Sequence, residues 1–190
     1  ILGSMRNGYT RVMLAIVQRN VLRERFYLME EAGLDVSGMS ISTEGIYNWY
    51  LHAAGRIGGD GAVALVDVDS FYSDFMVFSG CNLCFTRSML VGADQLIDDY
   101  DRWKEKLARE IRQSIEGAAA EMSSVSPVKL VLTGAGAKIE RLAEDLGHEL
   151  DLSVEILSCR DDLARAPTEP SLDDETYDAA SLTAVIGMGT

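Results

Sequence analysis

The sequence predicts an α/β fold in which a mixed sheet is flanked by helices. Three observations carry this expectation. Predominantly apolar runs of strand length recur at 62–68 and 128–133, a long helical pattern lies between them, and glycine-rich turns punctuate the joins. A mostly apolar run without strict alternation suits a strand covered on both faces.

Residues 12–17, Val-Met-Leu-Ala-Ile-Val, form such a run and predict a first buried strand. Asn20 is placed to cap a helix reaching Ala32, with Val21, Leu22, Phe26, Leu28 and Met29 on one face and Gly33 ending it. Residues 36–41 predict another strand. Ser42 or Thr43 then caps a helix carrying Ile46, Trp49, Tyr50 and Ala53. Residues 55–61 hold four glycines and two opposite charges, Arg56 and Asp60, and mark a boundary. The expected organisation is a remnant at 1–5 (Ile1-Leu2-Gly3-Ser4-Met5, which reads as a cloning scar ending in an initiator-like methionine), an αβ segment at 6–57 and a second domain at 58–190.

In the second domain, residues 62–68, 75–78 and 83–89 predict a three-stranded meander, with Ser79-Gly80-Cys81-Asn82 as its hairpin turn. From Asp94 to Met122, Leu96, Ile97, Tyr100, Trp103, Leu107, Ile111 and Ile115 recur at three- and four-residue spacings, the signature of an amphipathic helix. Pro127 breaks that pattern, and 128–133 feeds Gly134-Ala135-Gly136-Ala137 and a helix at 138–150. A short strand at 154–157, an acidic loop at 161–174 and a closing helix at 177–188 complete the expectation.

Composition narrows the function. The 190 residues carry a formal net charge of −13, and no compact Lys/Arg cluster offsets it, so nucleic acid is excluded as an expected partner. No apolar run approaches the roughly 18 residues of a membrane span, so direct membrane insertion is not expected either, and the reading is cytoplasmic. Cys81, Cys84 and Cys159 are too few for a disulfide framework and read as reduced thiols. The Cys81/Cys84 pair falls in the hairpin turn, away from any helix start; a structural turn is the first reading, beside a redox pair or a zinc site that needs two further ligands. His52 and His148 lack a neighbouring nucleophile and acid, so no catalytic residue and no metal ligand is assigned. Trp49 and Trp103 sit on apolar faces and are expected in the core.

The order strand, acidic turn, strand, hairpin, strand, long helix, strand, Gly-x-Gly turn, helix resembles the second domain of the actin-like (ribonuclease H-like) ATPase superfamily. Within it, the chain looks like the type IV pilus assembly PilM proteins. The resemblance rests on Val63-Ala64-Leu65-Val66-Asp67-Val68-Asp69, on residues 83–96 from Leu83-Cys84-Phe85 to Asp94-Gln95-Leu96, on Leu130-Val131-Leu132-Thr133-Gly134-Ala135-Gly136-Ala137-Lys138-Ile139, and on the closing stretch 181–189. Residues 12–41 resemble the tail of a subdomain that these proteins insert into their first domain, which implies that most of that domain is missing.

The resemblance implies a nucleotide cleft in the parent, here reduced to Asp67, Ser70, Ser73, Gly134 and Gly136 as a vestigial pocket. Family members that bind ATP carry Asp-x-Gly in the second phosphate loop, where glycine lets backbone N–H groups approach phosphate. Asp69 replaces that glycine, adding a Cβ and a negative charge where an anion would sit. Asp67 retains the capacity to hold magnesium through water. No cofactor is therefore expected for this chain, with ATP and magnesium conceivable only in the full-length parent. The implied role is a non-catalytic scaffold of a type IV pilus or related secretion machine, peripheral to the inner membrane through its partners. Those partners are the tail of a membrane-anchored pilus assembly protein and other pilus machinery. Val12, Leu14, Ile16 and Phe26 are the candidate contacts for that tail. A nucleotide-binding half of an actin-like ATPase is the alternative.

Overall fold

The computed structural model describes residues 3–4, 10–12, 14–57, 61–96, 99–122 and 126–157. The chain divides into two compact units, 1–42 and 43–190. The expected loop at 161–174, the closing helix at 177–188 and Cys159 lie outside the described residues.

In the first unit, β1 (Gly3–Ser4) pairs antiparallel with β2 (Thr10–Arg11), and α1 (Arg19–Glu31) follows. The end of α1 is the one its sequence predicts. Gly33 takes φ 75°, its N–H donates to Glu30 O, and the Leu34 N–H donates to Met29 O, which satisfies two terminal carbonyls. The start differs: Gln18 occupies the N-cap position two residues ahead of Asn20. The strands expected at 12–17 and 36–41 do not form. Apolar composition makes a strand only where a ladder partner exists, and neither run pairs with another strand among the described residues. Val12, Leu14 and Ile16 instead lie outside any strand and are 64, 78 and 85% exposed.

The second unit begins with α2 (Ser42–Ile57) and is organised by a five-stranded sheet of order β5-β4-β3-β6-β7. Strands β3 (Ala62–Val68), β4 (Ser73–Ser79) and β5 (Asn82–Met89) form the expected antiparallel meander. After α3 (Tyr100–Met122) the chain returns through β6 (Pro127–Thr133) parallel to β3. It then passes through α4 (Leu142–Leu150) to β7 (Ser153–Ile156), parallel to β6. Every residue of β3 is buried, because both faces of the sheet are covered. On one face Ala64, Val66, Val77 and Leu132 join Trp103, Leu107 and Ile111 of α3 and Leu142 and Leu146 of α4 in the main core. Phe78 follows the core-facing Val77 and so points to the other face. There Tyr50 of α2 stacks on it, with ring centroids 3.6 Å apart. Lys129 closes the end of α2 by donating from Nζ to Ile57 O, while pairing with Glu155 at 3.1 Å.

Two helices are shorter than their patterns predict, for local reasons. The stretch before α3 is held as a 3-10 turn at Ala93–Gln95, because the Ala93 and Asp94 N–H groups donate to Asp69 O and Ser70 O (both 2.8 Å). After β6 the chain makes a 3-10 turn at Ala135–Lys138, and Arg141 takes the left-handed conformation, φ 67°, before α4 begins. Both tryptophans are buried as expected, and Arg87 pairs with Glu110 at 3.0 Å. No described helix is long and apolar enough to cross a membrane.

Trp103 supplies a direct test of how the start of α3 is fixed. Its indole Nε1 donates to Gly92 O at 2.9 Å inside the core. Trp103→Phe strands that carbonyl and removes buried ring volume, and should lower stability in urea unfolding by about 2–4 kcal/mol.

Candidate functional site

The candidate site is the corner where β3, β6 and the β3–β4 loop meet. The end of β3 brings Asp67 directly opposite Asp74 of β4 on one side and Thr133 of β6 on the other. All three are buried, Asp67 being 9% and Asp74 2% exposed. The Ser88 hydroxyl of β5 donates to Asp74 Oδ1. Asp67 Oδ1 has no hydrogen-bond partner, an unusual state for a buried carboxylate oxygen.

The loop that follows is internally saturated. The Asp69 N–H donates to Tyr72 O at 3.1 Å, and the Ser70 N–H donates to the Asp69 carboxylate, Oδ1, at 2.8 Å. The loop carbonyls are also taken: Asp69 O and Ser70 O by the backbone of Ala93 and Asp94, and Phe71 O by Gln95 Nε2 at 3.3 Å. Gly92 permits this closeness, since a Cβ there would lie 2.3 Å from Ser70 O and 2.4 Å from the Phe71 carbonyl carbon.

The five residues read from the sequence as a vestigial pocket gather around this corner in different ways. Gly134, at φ 89°, lies against Asp67: a Cβ on it would stand 2.7 Å from Asp67 Oδ1 and 2.5 Å from Val68 O. A Cβ on Gly136 would come within 2.4 Å of Val68 Cγ1. Both glycines thus serve the close seating of the turn on β3. The hydroxyl of Ser73 is buried and donates to Val91 O at 2.6 Å, and Ser70 is partly exposed in the loop. Sequence reasoning missed Asp74, Thr133 and Ser88, which only strand register places beside Asp67. Among the described residues no group of three or more His, Cys, Asp or Glu could hold a metal ion.

The Ser70 N–H, a donor of the kind that a phosphate oxygen would need, already serves an anion, the Asp69 carboxylate.

No protein-family model matches the sequence, and no curated protein matches it. Solved structures do. A chain of the PilM–PilN type IV pilus biogenesis complex superposes with a TM-score of 0.69 at 17% identity, over 87% of this chain and 56% of that one. The ethanolamine utilization protein EutJ from Carboxydothermus hydrogenoformans gives 0.49 at 16% identity, over 90% and 61%. MreB5 of Spiroplasma citri bound to ADP gives 0.47 at 10% identity, over 91% and 65%. The architecture is therefore an actin-like α/β fold, as the order of elements predicts. The superposed PilM–PilN chain shares that fold, and this chain spans 56% of its length.

Asp67 makes the electrostatics of the corner measurable. Burial first, then the Asp74 carboxylate and then Asp69, push its carboxyl up to about 7. An unfolded chain releases the same proton near pH 4. The folded state thus holds the extra proton between these values, so stability is lost as pH rises from about 4 to about 7 and is level above. Asp67→Asn should remove this component and raise stability at pH 8 by about 3–4 kcal/mol, with little change at pH 4. Paired urea titrations at the two pH values check the sign.

Proposed function

We propose that the chain is the second-domain part of an actin-like pilus assembly protein acting as a non-catalytic cytoplasmic scaffold. It collects at the inner membrane by gripping the tail of a membrane-anchored pilus protein. The observation that carries the non-catalytic half of this reading is the capture of the Ser70 N–H by the Asp69 carboxylate, which fills the phosphate-loop position with the protein's own anion. Support for the partner half comes from the fold shared with a chain of the PilM–PilN complex.

The tail would meet the first unit. Val12, Leu14 and Ile16 lie on an exposed segment outside any strand, and Phe26 sits partly buried on α1. An exposed apolar segment of this kind suits strand addition, in which main-chain hydrogen bonds give affinity and alternate side chains give selectivity.

The opposing reading is a nucleotide-binding half-site lined by Asp67, Ser70, Ser73, Gly134 and Gly136. One observation favours it, the unpartnered Asp67 Oδ1, which could face a hydrated magnesium ion. Against it stand the occupied Ser70 N–H, the buried hydroxyl of Ser73 and the seating of both glycines on Val68.

Two measurements separate the readings. The full-length parent should be captured by an immobilised tail of the membrane-anchored pilus protein, and the double variant Leu14→Asp, Ile16→Asp should lower capture at least about tenfold, or 1.4 kcal/mol. Undiminished capture would refute the contact assignment, and no capture by the parent would refute the role. Calorimetry of the parent with magnesium and ATP should show no saturable heat up to about 1 mM; saturable binding would establish the half-site.

A further inference from the structure

The first turns of α3 border a groove that the pilus reading leaves unused. It opens between the 3-10 turn at Ala93–Gln95 and the helix, with a volume of about 790 Å³. Arg102, Lys106 and Arg109 line it, and their i, i+4, i+7 spacing sets them in one stripe along the helix. Trp103, buried and bonded through Nε1 to Gly92 O, lines the groove as well. Two acids also face it. Asp99 Oδ1 accepts from the Arg102 N–H at 3.0 Å, which commits that oxygen to the start of the helix, and Glu105 follows Arg102 by three residues.

These three cations lack carboxylate partners. Elsewhere in the second unit Arg87, Lys104, Lys129 and Arg141 each pair with an Asp or Glu. Arg102 and Arg109 make no ion pair among the described residues, and the Lys106 ammonium donates to neutral oxygens, Gln95 Oε1 at 2.8 Å and Leu90 O at 3.4 Å. In a chain of 30 acids against 17 Lys and Arg, internal carboxylates are plentiful, so three cations left over on one groove mark a place for an outside anion. The rim is apolar. Gln95 Nε2 donates to both Phe71 O and Leu90 O, so these two residues adjoin the groove, and they are 73 and 82% exposed. Exposed aromatic and apolar groups beside arginines are the composition of a protein-binding surface.

We propose that this groove binds an extended acidic segment of a partner protein, with carboxylates on Arg102 and Arg109 and apolar side chains against Phe71 and Leu90. The two arginines are attached about 10 Å apart along the helix axis. On an extended peptide, alternate residues share one side at about 7 Å intervals, so successive acids there span both guanidiniums while the residues between them turn to the rim. A single phosphate is too short to do so. Each guanidinium also offers the planar fork that a carboxylate matches. A nucleic acid strand is the poorer occupant, because the net charge of −13 repels it everywhere beyond the groove. The surface uses no residue assigned to the pilus tail, so either assignment can fail without the other.

The test is fluorescence polarisation of the full chain with a fluorescein-labelled peptide, Glu-Phe-Glu-Leu-Glu, beside versions with Lys for Glu and with Ser for Phe and Leu. The acidic peptide should bind saturably below about 1 mM, and the Lys version at least about tenfold more weakly. Arg102→Gln with Arg109→Gln should weaken the acidic peptide at least about tenfold, with an unchanged urea midpoint showing that the variant folds. Phe71→Ser with Leu90→Ser should weaken it at least about threefold, and should leave binding of the Ser version unchanged, as a shared contact requires. No saturable binding, or undiminished binding by the arginine variant, would overturn the proposal. Displacement by inorganic phosphate as effective as by unlabelled peptide, or tighter binding of a single-stranded oligonucleotide, would overturn the peptide as occupant.

Discussion

The close contact between Gly92 and the main chain of Ser70 and Phe71 is the constraint on which the site corner depends. Because a side chain cannot stand there, the segment after β5 lies directly on the β3–β4 loop and takes up its carbonyls. Trp103 then anchors Gly92 from the core side, and Gln95 bridges Phe71 O, Leu90 O and the Lys106 ammonium from outside. A loop tied at successive carbonyls cannot readily turn its N–H groups toward a ligand. The Asp69 carboxylate completes the arrangement by satisfying the next N–H from within. Asp69 thus belongs to a loop whose Asp69 and Ser70 N–H groups and four successive carbonyls, from Asp69 to Tyr72, are already committed.

Much of this fold was legible because its strands are buried on both faces. The predominantly apolar composition at 62–68 and 127–133, without strict alternation, suits a strand covered on both faces, and the glycines at 80 and 33 mark a tight hairpin and a helix end by their backbone needs alone. The same reasoning failed at 12–17 and 36–41. Apolar runs there match a strand in composition, but a strand is a relation between two segments, and no partner lies among the described residues. The late start of α3 was equally hidden. Periodicity reports which face is apolar, and it is silent about the bonds that tie Ala93 and Asp94 to the carbonyls of Asp69 and Ser70, far back along the chain.

The site was legible only along the chain. Asp67 and Asp69 stand out in any reading of 62–70, and Gly134 and Gly136 stand out as a turn. Asp74 and Thr133 become neighbours of Asp67 only through strand register, so the buried carboxylate pair has no sequence signature. Nor does the bulge at Cys84, which departs from the strict alternation that a strand reading assumes. The two glycines illustrate the ambiguity of composition: Gly-x-Gly suits a nucleotide turn, yet here each glycine is explained by contact with Val68.

The capture of the Ser70 N–H by the Asp69 carboxylate is the physical basis of the proposed scaffold reading. The most direct measurement is a two-dimensional 1H–15N NMR titration of the chain with magnesium and ATP, following the Asp69, Ser70 and Gly134 amides. The account predicts that none of the three moves, while Asp69→Ala shifts the Ser70 amide by removing its acceptor. A saturable shift of these amides with nucleotide in the unaltered chain would contradict it.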